Sequence, residues 1–162
     1  MDREELEDNL RKLIFDARVK WGDNVVAAIR KRIQEQSIED TGVLERSIMR
    51  EVTEDDVEFF MADYGKFVDE GIGSLGVNRN ALRPGFYKNA GGFLKDWAEK
   101  RGLNPFAVGR KIEERGGIRP RPFFKSTIEI MVPELAPLLD EAYKLGIDKI
   151  IEDANKDAQT SK

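Results

Sequence analysis

The 162-residue chain contains no cysteine and no histidine. Lack of cysteine excludes disulfide staples, thiolate nucleophiles and sulfur-ligated metals, and leaves the redox compartment unreadable. Lack of histidine removes the usual general base at neutral pH and the commonest transition-metal ligand, which weighs against most hydrolases. Long apolar runs are missing too. No window approaches the roughly 20 residues of a membrane-spanning helix, and the opening Met1-Asp2-Arg3-Glu4-Glu5 has no signal-peptide core. The expectation is a soluble protein made in the cytoplasm, without membrane contact, catalytic residues, metal or cofactor.

What is present is 40% hydrophobic and 36% charged residues, rich enough in Leu, Ile, Val and Phe for a core and long enough for one domain. The net charge of −4 is unevenly spread: residues 79–125 hold 12 Lys and Arg against 4 Asp and Glu, and the remainder holds 15 against 27. A basic middle between acidic ends suggests self-association of unlike surfaces or a nucleic-acid patch. Overall acidity favours the former, because it opposes long-range attraction of DNA.

Ile48–Val52 and Val57–Ala62 are short runs rich in β-branched and aromatic residues, separated by the polar turn Thr53-Glu54-Asp55-Asp56. They predict a β-hairpin. Alternation puts Ile48 and Val52 on one face with Val57, Phe59 and Met61, apolar enough for a core; the other face carries Met49, Phe60 and Ala62 beside Glu51 and Glu58. Leaving Phe60 in water exposes a large ring, so either a helix of the same chain or a neighbouring subunit should cover it. The acidic cluster Glu51, Glu54, Asp55, Asp56 and Glu58 reads as a solvated turn, since it lacks the glycine and terminal glutamate of a calcium loop.

Leu6, Leu10, Leu13, Ala17, Trp21, Val25, Ile29 and Ile33 recur at helical spacing, predicting an N-terminal helix over residues 1–36 that Gly22-Asp23-Asn24 could interrupt. Unbroken, it would be about 50 Å long, more than a small hairpin can cover. Tyr64, Phe67 and Val68 predict a short helix closed by Gly71. Gly71-Ile72-Gly73-Ser74-Leu75-Gly76 matches the dinucleotide fingerprint literally, but Asn78, Asn80, Pro84 and Gly85 prevent the helix that would hold a pyrophosphate. A loop over Gly71–Gly92 is the expectation.

Phe93-Leu94 and Trp97-Ala98 predict a short helix ending at Gly102, and Asn104-Pro105 a second one, running through Ile112 to a stop at Gly116-Gly117. Together with Lys95, Lys100, Arg101, Arg110, Lys111 and Arg115 they allow a nucleic-acid-reading helical hairpin over residues 93–115 as the alternative function. Against it, the second helix commits Phe106, Val108 and Ile112 to packing and offers base edges no Asn or Gln. Pro120 and Pro122 dictate an extended Ile118–Phe124 segment delivering two phenylalanines to the core. Ile128 and Met131 continue a helical pattern. Pro133 then opens a helix whose apolar face is Leu135, Leu138, Leu139, Ala142, Tyr143, Ile147, Ile150 and Ile151, weakened at Gly146 and fraying into a disordered tail at residues 158–162.

Taken together, Thr41-Gly42-Val43-Leu44 with Ser47-Ile48, the Tyr-x-x-Phe-Val-x-Glu-Gly pattern of Tyr64–Gly71, the Trp97 helix, Gly116 and Arg121-Pro122-Phe123-Phe124 resemble the tail-completion (head–tail connector, neck or minor tail) proteins of tailed bacteriophages. The resemblance spans residues 41–145. It implies an α+β, non-enzymatic virion protein that forms a homo-oligomeric ring between the portal-side connector and the tail tube. Its implied partners are copies of itself, portal or adaptor and tail-tube proteins, and packaged DNA in the channel. It also implies that Tyr64, Phe67, Glu70, Gly71, Pro122, Phe123 and Phe124 hold the subunit core. Phe60, Trp21, Arg79, Arg83, Arg110, Arg119 and Arg121 are the candidate subunit interface. The expected fold is a single α+β domain over 1–157: a small antiparallel sheet built on the hairpin, packed against long N- and C-terminal helices, with a loop and helical-hairpin insertion at 71–117.

Overall fold

A computed structural model of the chain describes residues 3–38, 42–77, 82 and 84–160. The fold is α+β, with two antiparallel two-stranded ladders among eight α-helices in the described residues. It resolves into two compact units, each assembled from separated stretches of chain: residues 1–31, 48–60 and 126–162, and residues 32–47 and 61–125. Residues 71–117 fall within the second of them.

In the first unit, α1 (Arg3–Glu35, its last turn belonging to the second unit) is unbroken at Gly22-Asp23-Asn24. The reason is visible across from it. A Cβ on Gly22 would lie 2.6 Å from Arg50 Cδ and 3.3 Å from Val57 Cγ1, so the glycine is a seat for the hairpin rather than a helix breaker. The hairpin, β1 (Met49–Val52) and β2 (Val57–Phe60), pairs Met49 with Phe60, Arg50 with Phe59, Glu51 with Glu58 and Val52 with Val57. Thr53 N donates to Asp56 O at 2.9 Å and Asp56 N to Thr53 Oγ1 at 3.0 Å, closing the polar turn.

Arg50 shares the half-buried face with Val52, Val57 and Phe59. Its stem lies over Gly22, while Nη2 reaches Asp23 Oδ1 at 2.8 Å. A long cation can line an apolar face this way, burying methylenes and keeping its head at the rim. The core of this unit is Ala17, Trp21, Val25, Val26 and Ile29 of α1, with Ile48 and Ala142.

The C-terminal helix forms in two pieces, α7 (Lys125–Met131) and α8 (Leu135–Thr160), separated by a 3-10 turn at Val132–Glu134. Pro133 supplies no N–H to the preceding turn. Leu135 N donates to Val132 O, and the Met131 carbonyl accepts from Trp21 Nε1 at 2.8 Å. Gly146 marks close approach of α8 to α1: a Cβ there would lie 2.6 Å from Leu10 Cδ1. The tail expected to be disordered from residue 158 is helical through Thr160, the end of the described chain. Lys156, one turn after Glu152 and 2.7 Å from it, supports that end.

In the second unit, α2 (Val43–Ser47) buries Leu44, and Ser47 Oγ accepts from Ala62 N at 3.0 Å at the start of α3 (Asp63–Glu70). Gly71 ends α3 with φ +69 and ψ 171, a conformation natural only to glycine. The loop expected from Gly71 begins instead with β3 (Ile72–Gly73), which pairs with β4 (Gly117–Ile118), Ile72 opposite Ile118 and Gly73 opposite Gly117. The ladder requires backbone closer than side chains permit; a Cβ on Gly117 would sit 1.9 Å from Ile72 O.

Residues 86–89 form a 3-10 turn, and the expected Trp97 helix is two short pieces, α4 (Ala90–Phe93) and α5 (Lys95–Glu99), broken at Leu94. Next, α6 (Pro105–Glu114) starts as the sequence predicts: Asn104 Oδ1 accepts from Phe106 N at 2.9 Å and Ala107 N at 3.3 Å, with Pro105 in the first turn. The Glu113 carboxylate accepts from Gly85 N at 3.0 Å and Tyr87 N at 3.4 Å, tying α6 to the 3-10 turn.

Candidate functional site

The residues assigned to the subunit core divide on inspection. Phe123 is fully buried and Gly71 is buried, while Tyr64, Glu70 and Phe124 are half-buried. Phe67 and Pro122 are exposed, a correction to their placement in the core. On α3 the inward positions go to Gly65 and Asp69 instead, and a Cβ on Gly65 would meet Leu44 and Met61 at 2.8 Å. The side chain that ties the two motifs together is Asp69, 6% exposed, whose Oδ1 accepts from Phe123 N at 2.7 Å and Phe124 N at 2.8 Å. Arg121 N adds a backbone bond to Val68 O at 2.9 Å. The extended proline segment therefore docks on α3 by hydrogen bonds, with one of its two phenylalanines as the apolar anchor.

The interface candidates also divide. Trp21 is 5% exposed, its ring edge-on to Phe59 at 5.6 Å and its N–H committed to Met131, so it belongs to the core and not to an outer surface. Phe60 is exposed, and so is its cross-strand neighbour Met49, at 43% and 59%. They form an apolar pair at one end of the hairpin's outer face. Arg110, Arg119 and Arg121 are exposed, while Arg79 and Arg83 lie outside the described residues.

Two further surfaces emerge from the helices. On α8, Ala142 and Gly146 are buried, Gly146 against Leu10 of α1, and the next residue round from each, Tyr143 and Ile147, is exposed with Ile150 and Ile151. Spacings of four, three and one put these four on one face. On α6, Phe106, Ala107, Arg110, Lys111 and Glu114 are exposed together. Phe106 lies against Gly91, and the Arg110 guanidinium stacks 5.0 Å from the Tyr87 ring centre, fixing the basic group without neutralising it.

Electrostatics follow the units. The first carries 12 Lys and Arg against 20 Asp and Glu, a net −8, and the second 15 against 11, a net +4. The acidic residues of the hairpin turn are exposed, and no group of three or more carboxylates that could hold a metal ion occurs among the described residues. The hydrogen bond from Lys156 holds the exposed Glu152 carboxyl below its ordinary range. No helix of the described residues is long and apolar enough to cross a membrane.

Set beside models of protein families, characterised proteins and solved structures, the chain matches none of them.

Proposed function

We propose that the protein is a non-enzymatic structural subunit that associates with copies of itself into a ring at the head–tail junction of a tailed phage, joining portal-side connector to tail tube. The observation carrying the reading is the apolar surface left open by a chain with ample charged residues to cover it. Met49 and Phe60 lie exposed on the hairpin, and Tyr143, Ile147, Ile150 and Ile151 on α8. Exposed apolar clusters of this kind are what an associating subunit retains. The motif pattern of Tyr64–Gly71 and Arg121–Phe124 supplies the phage context.

Mass photometry over a concentration series, with binding assays against portal, adaptor and tail-tube proteins, tests the reading. The expected result is a closed oligomer of one size, or one formed on partner addition. A strict monomer that engages none of these proteins would sink it.

The basic face of α6 favours a second reading, nucleic-acid binding, since Arg110, Lys111 and Arg115 are all exposed. That reading requires DNA affinity falling steeply with salt and lost on neutralising these three residues. No binding at low salt removes it.

A further inference from the structure

We infer that the subunits join head to tail, the apolar stripe of α8 in one copy docking on the exposed face of α6 in the next. This inference rests on the self-association proposed above and assigns its contact.

The stripe is left uncovered by its neighbours in the same unit. α8 already faces α1 at Gly146, where Leu10 fills the space a side chain would take, and Ala142 one turn earlier is buried. Tyr143 and Ile147 follow those residues, about 100° further round the helix. They remain 46% and 53% exposed, with Ile151 at 54%. A β-branched, rigid face of this length loses little side-chain freedom on docking.

Charge selects the occupant. The stripe belongs to the unit of net −8, and α8 itself carries six Asp and Glu against three Lys, Lys144 and Lys149 beside the stripe among them, a net −3. A second α8 would bring like charge against like, and nucleic acid would be repelled. A second copy offers a face of the opposite character in its unit of net +4: α6, with Phe106 and Ala107 as the apolar centre, and Arg110, Lys111 and the following Arg115 exposed beside them against the single exposed carboxylate of Glu114. Apolar middles with rims of opposite sign fix both affinity and register. Since the two faces differ, a copy that offers each of them to a different neighbour repeats the contact into a closed ring or a filament.

The absence of native cysteine allows a clean test by cross-linking. Protein carrying Ile151→Cys is mixed with a mass-tagged chain carrying Ala107→Cys and oxidised; both positions are exposed. The expected product is the mixed disulfide, with neither homodimer in quantity. An Ile151→Cys homodimer as the main species would overturn the inference in favour of α8 pairing with itself. Oligomers by mass photometry without the mixed disulfide would also overturn it, while leaving the ring reading intact. Monomers at every concentration, with portal, adaptor and tail-tube proteins added as well as without them, would overturn both.

As a second measurement, Ile147→Asp should weaken self-association by roughly tenfold or more. Its circular dichroism and melting temperature should stay those of the parent. Unchanged self-association in that variant would overturn the assignment.

Discussion

Asp69 bears more of the second unit's organisation than any residue in the motif around it. One carboxylate oxygen accepts two consecutive backbone amides, those of Phe123 and Phe124, in a site almost closed to water. Asp69→Ala would strand both donors, costing about 2–4 kcal/mol by the usual penalty for unsatisfied buried groups. Asp69→Asn retains an acceptor at Oδ1 and loses only the charge assistance, so about 1 kcal/mol is expected. Urea denaturation of the two variants checks the ranking, and equal losses would show that the pair of bonds is not what matters. Gly71→Ala should cost more than about 3 kcal/mol, because φ +69 excludes a Cβ that would lie 2.5 Å from Ile118 O. The sequence pattern singled out Tyr64, Phe67, Glu70 and Gly71 and passed over Asp69. An aspartate on a short helix reads as solvated until its partners, 54 and 55 positions away, are known. By the same token Phe67 reads as core because it is aromatic, though its helix turns Gly65 and Asp69 inward.

At the scale of elements, periodicity and turn chemistry carried most of the architecture. The α1 stripe is buried from Ala17 to Ile33, the hairpin has the strands and the four-residue turn expected of it, and α6 begins at its Asn-Pro signal. That signal is quantitative: Asn104→Ala removes an acceptor for two amides and should cost about 1 kcal/mol, measured by thermal melting, while Asn104→Asp should cost much less. Glycine is where the local pattern misleads. Gly22 and Gly146 resemble interruptions, yet both lie inside unbroken helices, where another part of the unit packs against the bare backbone. A local pattern registers the missing side chain and nothing of what occupies its place. The ladder of β3 with β4 was hidden for a related reason, since two-residue strands have no period to detect and their partners lie over 40 residues apart. The division into two units was equally illegible, because each draws on separated stretches of the chain.

For the whole molecule, the uneven charge visible along the sequence becomes a division between bodies of net −8 and net +4. Salt then distinguishes what drives association. Contacts between opposite charges are screened over about 10 Å at 0.1 M salt, whereas apolar contacts are indifferent to such salt or strengthened by it. If unlike bodies meet, raising sodium chloride from about 0.05 to 0.5 M should weaken self-association by roughly tenfold, seen by analytical ultracentrifugation. Association that tightens instead would mean that apolar surface alone carries it, and would direct attention to the hairpin. There Phe60→Ser offers the complementary measurement. With its ring already 43% exposed, the change should leave monomer stability within about 1 kcal/mol, so any loss of assembly reports a contact between copies and not a damaged fold. Salt sensitivity with a silent Phe60→Ser would place the contact away from the hairpin, and the reverse pattern would place it there.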